Sequence, residues 1–318
     1  MLSLGGRTKR VLGPGARFCY NGLASRRARQ TIKWRISMKP NVINFHITDK
    51  CNYRCKYCFA NFQRPDLTLE DAKRVVDSIC EYFEKNNIHD GRINIAGGEP
   101  SIYPHLDEII DYIYERGVRI SIISNGSFLS VDRVNAWRGK VEMIGLSIDA
   151  ASESGCLSIG RCQGGCKPQS LAQLAKIADA IHKCGMRLKI NTVVSRLNLD
   201  EDMLSVYQTL KPDKLKMLCV HEAKGLMHDE ENSFVPSEED YRRFVARNGY
   251  ISKDCILVIE ESGYMENAYL IIDPQGDVIL NEHGTAKRYG NCIVTSLFEI
   301  AKTLPIDEEK FFARYKAA

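Results

Sequence analysis

Apolar residues recur along this chain with two periods, and stretches of the two alternate. In 42–47 the apolar residues Val42, Ile43, Phe45 and Ile47 flank polar Asn44 and His46, a period-two pattern that predicts a strand. From Thr68 the spacing changes: Leu69, Ala72, Val75, Val76 and Ile79 fall on one face of a helix, and the Thr68 hydroxyl is placed to cap the amide of Asp71. The same alternation predicts strands over 92–96, 118–124, 143–149, 186–194 and 214–221. Helices are predicted over 104–116, stopped by Gly117, over 169–184, closed by Gly185, and over 200–210. Strands alternating with helices predict an α/β fold with a parallel sheet.

Beyond His221 the pattern weakens. Residues 222–236 read as a polar loop, Ser237 caps a helix to about residue 247, and strands follow near 256–259 and 268–273. Pro274-Gln275-Gly276-Asp277 then turns into 278–280, a hairpin signal, and 296–302 is predicted to be the last ordered helix. The organisation expected is a leader over 1–40, a barrel core over 41–222 and a C-terminal extension over 223–318 that closes over the active site. A chain of 318 residues is long enough to bury such a core.

Charge separates the leader from the body. The net charge is +4, yet residues 1–40 hold ten Lys or Arg and no Asp or Glu, leaving 34 basic and 40 acidic residues in 41–318. A Gly-, Ser- and Arg-rich leader without periodicity fits a disordered segment, with Met38 an alternative start; a targeting peptide and a basic nucleic-acid arm share that composition. The acidic body leads us to expect no direct nucleic-acid binding. Twelve Cys without a regular framework point to a reducing, cytoplasmic setting. No apolar run approaches the roughly 18 residues of a membrane span, so no membrane association is expected.

The first strand breaks into a short polar loop carrying Cys51, Cys55 and Cys58, a C-x3-C-x2-C pattern at a strand's C-terminal end, where parallel barrels place their chemistry. Three close thiolates suit a cubane iron–sulfur cluster with one iron left open. A zinc site would need a fourth ligand, for which His46 is the nearby candidate, facing away by strand alternation. A disulfide would be strained and leave an odd thiol. Tyr57, just before the last Cys, reads either as core packing or as a flat surface beside a planar ligand. The strand over 92–96 runs into Gly97-Gly98-Glu99-Pro100, which reads either as an ordinary turn or as a place where backbone approaches a ligand closely. Small polar residues recur at the ends of later strands: Ser124, Asn125 and Gly126, then Ser147 and Asp149. Arg161 can clamp a carboxylate or phosphate; Cys162 and Cys166 lack a complete metal-ligand set. Lys189, Asn191 and Lys216 stand on strands whose outer side is covered by helices, so they point to the mouth or carry a partner, and two Lys with an Arg suit a polyanion.

The three-Cys pattern with its aromatic resembles the radical S-adenosylmethionine (SAM) superfamily. The ordered set HITDKCNYRCKYCF, INIAGGEP, ISNGS, GLSID, IGR, KINTVVSRLN, DKLKML and AYLIID closely resembles the viperin family, especially its prokaryotic members, over about 41–305. That resemblance implies a partial (β/α)6 radical SAM barrel with a capping extension, a [4Fe–4S] cluster on Cys51, Cys55 and Cys58, and SAM held by Tyr57, Gly97, Gly98, Glu99, Ser124, Asn125, Ser147 and Arg161. It implies a ribonucleoside triphosphate bound by Lys189, Asn191 and Lys216, with Tyr269 near the sugar. Arg92 stands where the family is expected to carry Lys. The implied reaction removes the 4' hydrogen and, with a further electron, expels the 3' hydroxyl as water. Its product is a 3'-deoxy-3',4'-didehydro nucleotide that terminates RNA chains in antiviral defence. An electron donor such as flavodoxin or ferredoxin is implied. The membrane-binding amphipathic helix of animal viperins is not visible in the leader. Two other classes remain open at this point: a radical SAM enzyme acting on a peptide or other small substrate, and a non-catalytic iron–sulfur module.

Overall fold

The computed structural model describes residues 39–58, 60, 64–220, 234–249, 254–261, 263 and 265–315, together with the backbone of 18–19. Ordered along the chain, a two-residue strand β1 (Phe18–Cys19) precedes β2 (Val42–Thr48), α1 (Leu69–Lys85), β3 (Arg92–Gly97), α2 (Leu106–Glu115), β4 (Arg119–Ser124) and α3 (Val131–Ala136). Next come β5 (Met143–Ser147), α4 (Glu153–Ile159), α5 (Leu171–Lys183), β6 (Arg187–Val194), α6 (Leu204–Leu210), β7 (Lys214–Cys219) and α7 (Glu238–Asn248). The chain closes with β8 (Ile256–Glu260), β9 (Ile271–Ile272), a hairpin of β10 (Asp277–Glu282) and β11 (Thr285–Asn291), then α8 (Leu297–Ala301) and α9 (Glu308–Tyr315).

The strands form one open sheet in the order β1-β8-β7-β6-β5-β4-β3-β2-β9-β10-β11. From β2 to β8 every neighbouring pair is parallel, so each connection must cross over the sheet, and β2 to β7 are the six strands of the expected partial barrel. Period-two alternation sorts their side chains. Ile43, Phe45, Ile93, Ile95, Ile120, Ile122, Ile144, Leu146, Leu188, Ile190 and Leu215, all at most 1% exposed, meet the apolar stripes of the helices. The alternate positions face inward and are polar: Asn94 Nδ2 donates to Asn44 Oδ1 at 2.8 Å, and Ser121 Oγ to Asn94 Oδ1 at 2.8 Å, a ladder across three strands.

The extension lengthens the sheet at both edges, β8 beside β7 and β9–β11 beside β2. The expectation that 296–302 is the last ordered helix is overturned by α9, which buries Phe311 and Arg314. The pattern hid α9 because one of its two buried residues is a charged Arg, whose burial depends on a partner far back in the chain. Two short helices were also missed: α3, capped by Ser130, and α4, capped by Ser152, neither long enough for a full apolar stripe. The strand expected over 143–149 ends at Ser147.

One ion-pair bridge ties the extension to the loop after β2. Arg64 donates through Nε to Asp49 at 2.5 Å and through a terminal nitrogen to Asp273, whose other oxygen accepts from the amides of Gln275 and Asp277, each at 2.9 Å. The two carboxylates are buried, so removing the cation strands both. Arg64→Met is expected to cost about 3 kcal/mol of unfolding free energy, the usual cost of breaking a buried pair; urea denaturation against the parent protein measures it, and a loss near zero would mean the bridge is not stabilising.

Candidate active site

The loop after β2 is held from two sides. Arg54 N donates to Gly160 O at 3.3 Å and Lys56 N to Ile159 O at 2.9 Å, so the end of α4 runs beside the three-Cys loop like a paired strand. Gly160 has φ +80°, and a Cβ there would lie 2.2 Å from Arg54 O, so this approach requires glycine. On the other side Asn125 Nδ2 donates to Asn52 Oδ1 at 3.0 Å, and Asn52 Nδ2 to Ser127 Oγ at 2.9 Å.

Within that loop, polar hydrogens are aimed at sulfur. Tyr53 N lies 3.4 Å from Cys51 Sγ, Asn125 Nδ2 3.8 Å from the same atom, and Ala60 N 3.5 Å from Cys58 Sγ. Burial pushes all three thiols up, Cys55 to about 12, so as bare thiols they stay protonated. A cationic iron centre reverses that balance, and N–H donors to sulfur are what ligating thiolates need. The donor set therefore fits a cluster. Among the described residues no three His, Cys, Asp or Glu groups gather closely enough to hold one metal ion.

The rim residues are mutually ordered. Gly98 N donates to Thr48 O at 2.7 Å and Glu99 N to Lys50 O at 2.8 Å. A Cβ on Gly97 or Gly98 would come within 2.2 Å of those carbonyls, so the close approach these glycines permit is to the loop that leads into the cysteines. Glu99, fully buried, accepts from Ser101 Oγ at 2.5 Å, Ser124 Oγ at 2.7 Å and Asn125 N at 2.6 Å, which saturates its carboxylate with protein donors. Ser147 ends β5, and its carbonyl accepts from Arg161 at 3.3 Å. Arg161 also pairs with Asp149, as does the Tyr57 hydroxyl.

Deeper on the inner face the character changes to cationic. Lys189 pairs in register with Lys214, and Asn191 with both Ser147 and Lys216, so these side chains form adjacent rows on β5, β6 and β7. Lys216, 5% exposed, pairs with Glu260 at the end of β8; the other Glu260 oxygen takes Arg314 of α9 at 2.7 Å. The Arg314 guanidinium lies 4.1 Å from the centre of the Tyr269 ring, and Tyr315 accepts from Asn44 Nδ2 at 3.2 Å. At the N-terminal ends of the strands Arg92, 4% exposed, donates to Glu142 at 3.0 Å; its buried Nε has no partner among the described residues. Glu142 also takes Arg119 at 2.8 Å. Burial and then Lys216 and Lys214 hold Lys189 well below the usual lysine range, and burial with Arg314 brings Lys216 to about 7. Burial pushes Glu260 up, but Arg314 and Lys216 outweigh it and keep the carboxyl below its ordinary range.

All the sequence-predicted site residues thus lie along one inner surface or its rim. The sequence reading missed Glu260, Arg314 and the Asn44–Asn94–Ser121 ladder. Glu260 carried a usable signal, an acidic residue continuing the inward alternation of Ile256 and Val258; Arg314 carried none, since it follows the expected end of order.

An open parallel barrel with a three-Cys loop at the C-terminal end of its first core strand is the arrangement of a radical SAM enzyme, and the Radical SAM superfamily model matches residues 45–210, more than half of the chain. Solved structures agree on the fold: SuiB of Streptococcus suis bound to S-adenosylmethionine has a TM-score of 0.60 at 16% identity, over 86% of this chain and 68% of that one. The AdoMet-bound anSMEcpe has a TM-score of 0.61 at 13% identity, over 87% and 80%. Curated relatives narrow the placement. An S-adenosylmethionine-dependent nucleotide dehydratase of Selenomonas ruminantium is 31% identical over 281 residues, 86% of this chain and 98% of the relative. One from a Thermoplasmatales archaeon is 31% identical over 85% and 93%, and one from Oncorhynchus mykiss is 30% identical over 74% and 68%. The chain belongs to the S-adenosylmethionine-dependent nucleotide dehydratases, the viperin family, within that superfamily. The superfamily carries a [4Fe–4S] cluster and SAM.

Burial and Arg314 bring Lys216 to about 7, so an anion bound beside it would favour its protonated form. Inorganic triphosphate should therefore bind with net proton uptake, and its affinity should fall by up to about tenfold per pH unit as the pH rises above 7, the slope one linked proton allows. Titration calorimetry in two buffers of different ionisation enthalpy measures the uptake; identical heats in both would contradict it.

Proposed function

We propose that this protein converts a ribonucleoside triphosphate, CTP, UTP or GTP, to its 3'-deoxy-3',4'-didehydro analogue, a chain terminator used in antiviral defence. The observation that carries the reading is a set of buried cations on the inner face, Arg92, Lys189 and Lys216, with Arg314 beside them and with Glu142 and Glu260 paired to Arg92 and Lys216. A triphosphate is a polyanion that such a cationic wall, lying below the rim, can receive. The relatives' shared description as nucleotide dehydratases supports the same substrate class.

Cys51, Cys55 and Cys58 would hold the cluster, which when bound supplies the electron that splits SAM into methionine and the 5'-deoxyadenosyl radical. In our reading Tyr57, Ser147 and Arg161 line the SAM site, with Gly97, Gly98, Ser124 and Asn125 shaping its rim and Glu99 locking that rim together. Lys189, Asn191, Lys216 and Arg314 grip the triphosphate, Arg92 reaches its far end, and Tyr269, stacked on Arg314, stands beside the sugar. A water-poor wall protects the sugar radical from stray hydrogen donors. The extension completes that wall, and the reductant is a carrier such as flavodoxin or ferredoxin in a reducing cytoplasm. No helix of the described residues is long and apolar enough to cross a membrane. A peptide substrate is disfavoured: after residue 220 the chain has two cysteines, Cys255 before β8 at one sheet edge and Cys292 after β11 at the other, too few for an auxiliary cluster.

The test is an anaerobic assay with reductant, SAM and each of the four nucleotides, scored for 5'-deoxyadenosine and the didehydro product. No 5'-deoxyadenosine with any nucleotide would refute the enzyme reading. Lys189→Ala and Lys216→Ala should each raise the nucleotide KM by at least about tenfold, the scale of one lost charge-assisted contact, while slow uncoupled SAM cleavage persists. A chain ending before α9 should lose nucleotide turnover and keep SAM binding; normal kinetics in all three proteins would remove the triphosphate assignment.

A further inference from the structure

Asp149 joins four parts of the rim and is not among the residues assigned to the cluster, SAM or the nucleotide. It lies two residues beyond the end of β5, with no exposure to solvent. Oδ1 accepts from the amide of Val193 on β6 at 2.7 Å, and its own carbonyl accepts from Asn198 Nδ2 at 2.7 Å. Asn198, itself buried, donates also to Val193 O at 2.8 Å and accepts from Ser195 N at 2.7 Å. The backbone and one oxygen of Asp149 are thus fixed by β6 and the turn after it, which leaves Oδ2 pointing in a set direction. Two groups converge on that oxygen: the phenol of Tyr57, from the three-Cys loop, and the guanidinium of Arg161, from the segment after α4.

These two partners come from elements that otherwise meet through the backbone pairing of 54–56 with 159–160. Arg161 is buried apart from 12% of its side chain. One terminal nitrogen reaches Asp149 and the other Ser147 O, while its Nε is buried with no partner among the described residues. An unpartnered buried donor on a fixed guanidinium is an invitation to a ligand acceptor such as the carboxylate of an amino acid. The Tyr57 ring, 7% exposed, has its plane fixed because its hydroxyl is tethered.

We propose that Asp149 is a positioning residue for SAM: one carboxylate, braced by β6, that sets the Tyr57 ring and the Arg161 fork at the distance the ligand requires. The inference rests on the SAM site described above and adds to it a residue that touches neither SAM nor iron. Its neutral replacement keeps the shape of the site but cannot hold a phenol and a guanidinium on one oxygen. Groups one shell out from a bound centre typically govern affinity by about ten- to a hundredfold.

The experiment uses the reconstituted holoenzyme and four proteins: the parent, Asp149→Asn, Tyr57→Phe and the double variant. Iron content, the visible absorption of the cluster and the thermal midpoint are read beside the SAM dissociation constant from calorimetry and the change in the reduced cluster's EPR signal on adding SAM. Expected are about tenfold weaker SAM binding in Asp149→Asn, a smaller loss in Tyr57→Phe, and a double variant no weaker than about the worse single one, because both substitutions break the same contact. Cluster content should stay at the parent level. Parent-like SAM affinity in Asp149→Asn, or fully additive losses in the double variant, would overturn the proposal. Should Asp149→Asn fail to take up its cluster, Tyr57→Phe, which deletes one oxygen, still decides: unchanged affinity there overturns it as well. A parent holoenzyme that does not bind SAM would instead refute the SAM site itself.

Discussion

Packing several ammonium and guanidinium groups into one low-dielectric space costs both their hydration and their mutual repulsion, and this barrel carries that cost on its inner face. Lys189 and Lys216 respond as desolvated lysines do, by giving up protons more readily. Glu260 gives partial relief: one carboxylate shared between Lys216 of β7 and Arg314 of α9. The surrounding walls hold that charge in place. The outer wall is largely apolar, the inner wall is cross-linked by amide and hydroxyl side chains, and the far end is braced by Arg92 and Arg119 on Glu142.

The two halves of the proposed chemistry are separated along the strand axis. Strand ends and the loops leaving them make a rim of carbonyls, hydroxyls and sulfur, in which Glu99 and Asp149 act as anionic knots that draw neighbouring loops together. Residues one or two pleats below the rim make the cationic wall.

The legibility of this chain followed the reach of local patterns. Strands such as 42–48 and 187–194 announce themselves because one face is packed by helices and the other is not, and the three cysteines announce themselves because their spacing is local. Gly97 and Gly98 were legible as a close approach, though the neighbour turned out to be the carbonyls of Thr48 and Lys50. What stayed hidden has its cause elsewhere in the chain. Arg314 is buried because Glu260 and Tyr269 receive it, which no window of sequence around it can disclose. The short helices α3 and α4 are held by capping serines and tertiary contacts rather than by an apolar stripe. Of the extension's strands β8, β9 and β10 were found and β11 was not, and the placement of β9 beside β2 depends on a pairing partner more than two hundred residues away.

The hydrogen bond from Asn44 to Tyr315 joins residues 271 positions apart, and the nearby Glu260–Arg314 pair closes the same wall. Contacts of such separation form late, since most of the chain between them must be ordered before they gain anything. Among the described residues α9 follows the eleven strands in chain order, so this wall is closed by a helix whose partners lie far back in the sequence.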